Sequence, residues 1–522
     1  MKCCLRIVWS LALVVMTGSL HAQLRGVQEV PYEIAPMEAP FEVRQLQRPE
    51  FPDREFNILD FGAQEAGPQR HVKSTEAINA AVLEAHRSGG GKVIVPAGEW
   101  LTGPIHLLSH VNLHFAEGCK VFFSEDKEDY LPVVIQRYEG VEAYNYSPLI
   151  YAYRVKNAAI TGKGVLDGQA RHWLDWGTVQ PRAMATRMPL SRRTNFGKGS
   201  GSEGMRPNFM VFWESEDVLV EDVTLRNGPM WNIHLVYTTG AIVRGVTVNS
   251  VDSHNGDGIV VDSSSDILLE YNHLETGDDA IVLKSGFNEE GLEINRPTEN
   301  VLIRNFSAYD VRTGSGGVVF GSETSGGIRN VYVHDAHFER CDRGIRFKTA
   351  RGRGNATENI YVRDITLKDI TYEALNFNTF YQGSGVGVAP LVRNIDIRNI
   401  KIDGVPKAIV LIGLPEKWLE DIYLENIEVV NAEEGIRLER VKNLHMNNVA
   451  VSSKERAMVM DDVFELYAGG LKLKDKSNAK PILVKGRYSG VLVMGDFPLK
   501  DIELEEGLRS DILMDRAPDA EW

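Results

Sequence analysis

The 522-residue chain contains only four cysteines, and two of these, Cys3 and Cys4, stand in its first four residues. A disulfide framework is thereby excluded, and Cys119 and Cys341 are expected as two distant buried thiols. Beyond the first 22 residues no stretch is apolar for long enough to span a bilayer. Positive charge is short as well: 57 Lys and Arg stand against 72 Asp and Glu, a net charge of −15. An acidic surface argues against nucleic acid as a partner, and a polyanionic ligand would have to be met by a local basic cleft. A sustained 3.6-residue helical period is missing too, which excludes helical repeats.

What is present begins with Lys2 and Arg6, an apolar run from Ile7 to about Met16, and small and polar residues ending at Ala22. This pattern reads as a secretory signal peptide over residues 1–22, with a membrane anchor as the alternative. Its removal takes away two positive charges and no acid, moving the net charge from −15 to −17. The expectation is a secreted or periplasmic monomer with no membrane attachment after processing.

From about residue 150 a unit recurs in which Asn or Asp precedes an alternating apolar strand, as in Asp217-Val218-Leu219-Val220, Asp266-Ile267-Leu268-Leu269 and Asn330-Val331-Tyr332-Val333. Its second positions, Val218, Ile242, Ile267, Val301, Val331, Ile360, Ile395, Ile422 and Leu444, recur every 22 to 35 residues. Short β-branched strands at that period, with no intervening helix and no Leu-dominated repeat, predict an all-β parallel β-helix. Coils with excess length, at 285–299, 350–357 and 381–391, predict loops that wall a groove. Ser74 is the expected N-cap of a helix with apolar Ile78, Ala81, Val82 and Ala85, closed by Gly89-Gly90-Gly91. The organisation that follows is a signal peptide at 1–22, an N-terminal segment and helical cap at 23–149, the β-helix at 150–454, and a closing segment at 455–522.

Two stretches carry the chemistry. Asn255-Gly256-Asp257-Gly258 and Gly277-Asp278-Asp279 are separated by about one coil, so the three carboxylates should share one patch of surface roughly 4.8 Å per rung apart. Crowded carboxylates raise the pKa of at least one of them, giving an acid beside ionised partners. That is the equipment of glycoside hydrolysis; turn aspartates beside glycines are the plainer reading of each stretch alone. In Arg343-Gly344-Ile345-Arg346-Phe347-Lys348, Arg346 and Lys348 fall on one strand face and Ile345 and Phe347 on the other. Two cations projected together suit a carboxylated sugar, or form a solvated basic face. The segment 178–206, with Arg182, Arg187, Arg192, Arg193, Lys198 and Arg206 against the single acid Glu203, is either a loop that attracts a polyuronate or an unimportant insertion.

The order Asn255-Gly256-Asp257, Gly277-Asp278-Asp279, Gly314-Ser315-Gly316, Arg346-Phe347-Lys348, supported by Gly162-Lys163-Gly164-Val165-Leu166-Asp167-Gly168, resembles glycoside hydrolase family 28, the polygalacturonases and related pectin-degrading enzymes. The likeness runs from about Phe56 to Ser452. It implies a right-handed β-helix and metal-independent, cofactor-free, inverting hydrolysis of α-linked galacturonic acid chains in pectic polysaccharide, with Asp278 as general acid and Asp257 and Asp279 activating the water. Arg346 and Lys348 would bind the substrate carboxylate, with Asn255, Ser315 and Tyr381 as further substrate contacts. Ser315 stands where the family has histidine; His234, alternatively a structural histidine, is the candidate to occupy nearby space. The loss of that histidine leaves a rhamnogalacturonan-type substrate open. Long loops favour exo action. A calcium-dependent pectate lyase and a non-catalytic glycan-binding β-helix are the competing classes.

Overall fold

The structure, a computed structural model, describes residues 30–174, 205–312, 314–383 and 385–515. Residues 1–22, read from the sequence as a signal peptide, and all of the basic segment 178–206 before Met205 lie outside the described residues.

Each coil contributes three short strands, and each strand pairs in parallel with its counterpart one coil on. Strand Ile233–Val236 lies on Ile259–Asp262, which lies on Ile281–Lys284, then Val318–Gly321, then Arg343–Lys348 and Glu373–Asn378. Ladders of this kind join 33 strands into one hydrogen-bonded system, a right-handed parallel β-helix. The ladder opens at Glu55–Asn57 and its last rung is Leu513–Met514, so coils extend on both sides of the span 150–454.

The apolar alternates of every strand stack inside. Ile233, Ile259, Ile281, Val318, Ile345, Leu375 and Ile409 form one such file, each on the next and all buried. Phe320, Phe347 and Phe377 form another, with ring centroids 4.3 and 4.1 Å apart. Each buried side chain of this size contributes about 1.5–3 kcal/mol, and the stack repeats it along the whole axis.

The Asn and Asp residues that open each unit do two jobs. Asp266, Asn300, Asn330, Asn359 and Asn394 all have positive φ between 51° and 56°, a conformation that Asn and Asp tolerate. Their side chains bond along the axis, Asn300 to Asp266, Asn330 to Asn300 and Asn359 to Asn330 each at 3.1 Å. The corner is therefore paired from coil to coil.

Helix Thr75–Arg87 packs Ile78, Ala81, Val82 and Ala85 over the first coil. Ser74 precedes it, but its hydroxyl is bonded to Gln64 O at 2.7 Å and makes no cap bond. Residues 30–54 form an extended strap across the outside of the coils. Met37 and Leu46 cover Leu219, Ile242, Leu268 and Leu302, the outward alternates of one sheet. Beneath the strap the buried Arg244 and Arg304 both pair with Glu270 at 2.8 Å, and their remaining donors hold Pro31, Pro36 and Ala35 carbonyls. Cys119 and Cys341 are separate and buried, each thiol pushed up to about 12 by burial.

Candidate active site

The site is built at one corner of the coil. Asp257 lies in the turn between Thr247–Ser250 and Ile259–Asp262, and Asp278 and Asp279 lie in the equivalent turn before Ile281–Lys284. Gly258 N donates to Asp279 O at 2.9 Å, so the two turns are adjacent rungs. Gly277 lets them close: a Cβ there would meet Ser253 O at 1.9 Å. Ser315 stands in the next turn of the same file, before Val318–Gly321.

Strand alternation supplies the cations. Ile281 and Leu283 point into the core, so Lys284 points out; Ile345 and Phe347 point in, so Arg346 and Lys348 point out. Lys348 Nζ lies 2.7 Å from Asp279 Oδ2. Lys284 Nζ lies 3.9 Å from Asp257 Oδ2 and 2.8 Å from Glu323 Oε2. Among the described residues Asp278 has no such cation contact; its Oδ1 accepts from Ser315 Oγ at 3.2 Å and from the Asp279 N–H at 2.9 Å. Asp279 Oδ1 is buried without a hydrogen-bond partner and keeps a lone pair for a ligand hydroxyl or water.

Burial first, and then the charge of Asp279, hold the Asp278 carboxyl above the ordinary carboxylate range. Burial and the neighbouring Asp278 raise Asp257 well above that range, with Lys284 pulling the other way. Burial alone would strip Lys284 of its proton, but Glu323, Asp257 and Asp279 hold it charged. The corner thus retains a proton among its carboxylates under conditions where isolated ones are ionised.

Arg346 donates to Gly314 O, its Nε is buried and unpaired, and its Cζ lies 5.6 Å from the Tyr381 ring centroid. Lys348 Nζ is 5.8 Å from the same ring, so the structure brings Arg346, Lys348 and Tyr381 together. The Lys348 ammonium, however, is engaged by Asp279.

Two expectations are corrected. His234 is fully buried, with Nδ1 3.1 Å from Asn208 Nδ2 and Nε2 3.4 Å from Asp262 Oδ2, so it packs under the site and presents no nitrogen to a ligand. Burial keeps its imidazole neutral. Arg206, counted in a segment read either as a steering loop or as an unimportant insertion, is also buried and donates to Pro229 O, His254 O and Asn255 Oδ1 at 2.6, 2.9 and 3.3 Å. It holds the 254–257 turn in place, and it takes up the Asn255 side-chain oxygen.

The walls come from loops on the opposite edge of this ladder. Helix Asn288–Ile294, residues 350–354 and residues 386–388 meet one another: Arg353 donates to Ser322 O and Asn288 Oδ1 and covers the Phe287 ring, while Gly352 N and Gly354 N both bond Val388 O at 3.0 and 3.1 Å. A further wall was not foreseen. Antiparallel strands Val134–Tyr138 and Val141–Asn145 form a hairpin whose Tyr138, Val141 and Ala143 pack on Trp231, Val260, Val282 and Val319, the outward alternates beside the corner. Its turn, Glu139-Gly140, has φ of 47° and 85°, the tight two-residue geometry that strand-flanked X-Gly pairs favour. Lys284, Glu323 and Trp231 were likewise missed; alternation around Lys284 was the available signal.

Three neighbouring carboxylates, with cations and an aromatic ring beside them on a β-helix floor, have the parts of a carbohydrate-cleaving enzyme. Residues 134–450 match the model of glycosyl hydrolases family 28, and the chain belongs to that family: it is a glycoside hydrolase. The chain is 29% identical over 390 residues to a probable polygalacturonase of Vitis vinifera, covering 72% of this chain and 74% of that one. It is 25% identical to the exo-poly-alpha-D-galacturonosidase of Dickeya chrysanthemi, over 61% of this chain and 56% of its relative. Among solved structures, a hyperthermoactive exopolygalacturonase from Thermotoga maritima superposes with a TM-score of 0.72 at 36% identity, covering 78% of this chain and 93% of that one. No helix among the described residues is long and apolar enough to cross a membrane.

Proposed function

We propose that the protein cleaves α-galacturonosidic bonds in pectic polysaccharide by single-displacement, inverting hydrolysis, working from a chain end. The carrying observation is the unequal surroundings of the three carboxylates: Asp257 and Asp279 each have an ammonium partner, whereas Asp278 has a hydroxyl and a backbone N–H. Asp278 is the acid that gives its proton to the glycosidic oxygen as the bond to the anomeric carbon breaks. A water held by Asp257 and Asp279 Oδ1 attacks that carbon from the opposite face, and its proton passes to the carboxylate base. The water oxygen ends on the new anomeric carbon, the leaving sugar carries the Asp278 proton, and Asp278 is re-protonated from solvent.

Arg346, with Tyr381 beside it, is suited to grip a uronate carboxylate through its unpaired Nε. The hairpin 134–145 and the joined loops support exo action, because they wall the floor instead of leaving it open along its length. The names of the Thermotoga maritima and Dickeya chrysanthemi relatives support the same reading. The basic and apolar character of residues 1–22 supports export to a periplasm or medium.

Product analysis on polygalacturonan and rhamnogalacturonan, side by side, tests the proposal. Galacturonic acid released as a small unit from polygalacturonan alone is the expected result; unsaturated products absorbing in the ultraviolet, or release from rhamnogalacturonan alone, would refute it.

A further inference from the structure

Lys284 is the buried group with the most consequential position outside the residues that the family motifs mark. It projects from strand Ile281–Lys284 with its ammonium against the Trp231 ring, 4.8 Å from the centroid, and its side chain is 5% exposed. It reaches two buried carboxylates: Asp257, at 3.9 Å, and Glu323, at 2.8 Å and 1% exposed. Glu323 is fixed where it is. Ser285 N donates to its carbonyl at 2.6 Å, and the hairpin turn yields room for its side chain, since a Cβ on Gly140 would meet Glu323 Cγ at 2.7 Å.

We propose that Lys284, anchored by Glu323, is the positioning residue that opposes protonation of Asp257 and so sets the pH below which that carboxyl cannot serve as the base. This rests on the hydrolytic reading given above. Everything else that faces Asp257 bears on the balance. Asp278 and Asp279 oppose its ionisation from the next turn, and Lys348, from three rungs on, spends its closest contact on Asp279. On its own turn Asn255 is neutral and tied to Arg206. Behind Lys284, on the side of the hairpin, Asp262 is already matched by Arg137 at 2.8 Å and by His234. Lys284 is thus the cation nearest to Asp257 among the described residues. Without it, burial and two like charges act on Asp257 with less opposition, and its carboxyl would hold a proton to higher pH.

Glu323 tempers the effect. The shorter contact pulls the ammonium away from Asp257, so the pair works as a graded counter-charge, and removing either member should move the corner in opposite directions.

The test is the pH profile of kcat and KM on oligogalacturonide for wild type, Lys284→Met and Glu323→Gln. For Lys284→Met the acidic limb of kcat should move up by about one pH unit or more, with kcat lower by about 10-fold or more at the wild-type optimum and KM changed by less than about threefold. For Glu323→Gln the acidic limb should move down, because the ammonium is left to Asp257. Folding of each variant is checked by its far-ultraviolet dichroism, and either variant alone suffices to decide the sign. A limb that stays at the wild-type position in a folded variant, or moves in the opposite direction, overturns the proposal while wild-type activity stands. A folded wild type that releases no galacturonic acid overturns the hydrolytic reading itself, which is a separate outcome.

Discussion

Lys348 Nζ lies 2.7 Å from Asp279 Oδ2, although 69 residues separate them in the chain. The contact spans two rungs of the ladder, from the turn before Ile281–Lys284 past Val318–Gly321 to Arg343–Lys348. A residue expected to hold the substrate carboxylate is therefore paired with Asp279, one of the three clustered carboxylates. Arg346, with Nε unpaired, is the freer of the two cations.

That division predicts different kinetic signatures. Lys348→Met should lower kcat by about 100-fold or more, with a smaller change in KM, because it removes a charged hydrogen bond from Asp279. Arg346→Met should chiefly raise KM for a uronate oligomer. Steady-state kinetics on trigalacturonate separates them; an unchanged kcat in Lys348→Met would contradict the assignment.

Asp278→Asn should reduce turnover by at least about 10²-fold, since acid assistance is worth about 10²–10⁴. It should also stabilise the fold. A carboxyl whose folded pKa lies above its unfolded value lends stability only at low pH and loses it as pH rises, so the ionised group is a burden near neutrality. Thermal unfolding should show a higher Tm for Asp278→Asn near pH 7, with the gain fading toward about pH 4, the unfolded aspartate range.

Ser315 donates to Asp278 and so favours its ionised form. Ser315→Ala should raise the pKa of the acid and move the alkaline limb of kcat/KM upward by about half a pH unit, the worth of one ordinary hydrogen bond. A downward shift would show that the hydroxyl supports the protonated acid instead.

Arg244 is fully buried and bonds Glu270, Glu221 and the Pro31 carbonyl beneath the strap. Arg244→Met leaves Glu270 with only Arg304, and the fold should lose about 3–5 kcal/mol in denaturant unfolding. Residues 30–54 should become sensitive to protease before the coils do, while activity per folded molecule changes little.

The fold was legible because a stacked coil repeats its constraints. Asn and Asp corners, needed for positive φ and able to bond along the axis, punctuate the apolar strands at a readable period. The same repetition made Asp257, Asp278 and Asp279 readable as one patch, and alternation made Arg346 and Lys348 readable as one face. What escaped was non-repeating. The strap at 30–54 and the hairpin at 134–145 are held by contacts with outward alternates that a repeat-based reading assigns to solvent. His234 was named because Ser315 stands where the family has histidine, whereas Asn208 and Asp262 satisfy both of its nitrogens inside, the structural alternative. Arg206 was misread because charge was counted along the sequence, and burial is not a property of a charge count.

The most direct measurement is the anomeric configuration of the first galacturonic acid released from trigalacturonate, followed by proton NMR faster than mutarotation. A water delivered by Asp257 and Asp279 opposite Asp278 gives the β anomer first, with the α form growing in later. Initial release of the α anomer would contradict single displacement at this corner.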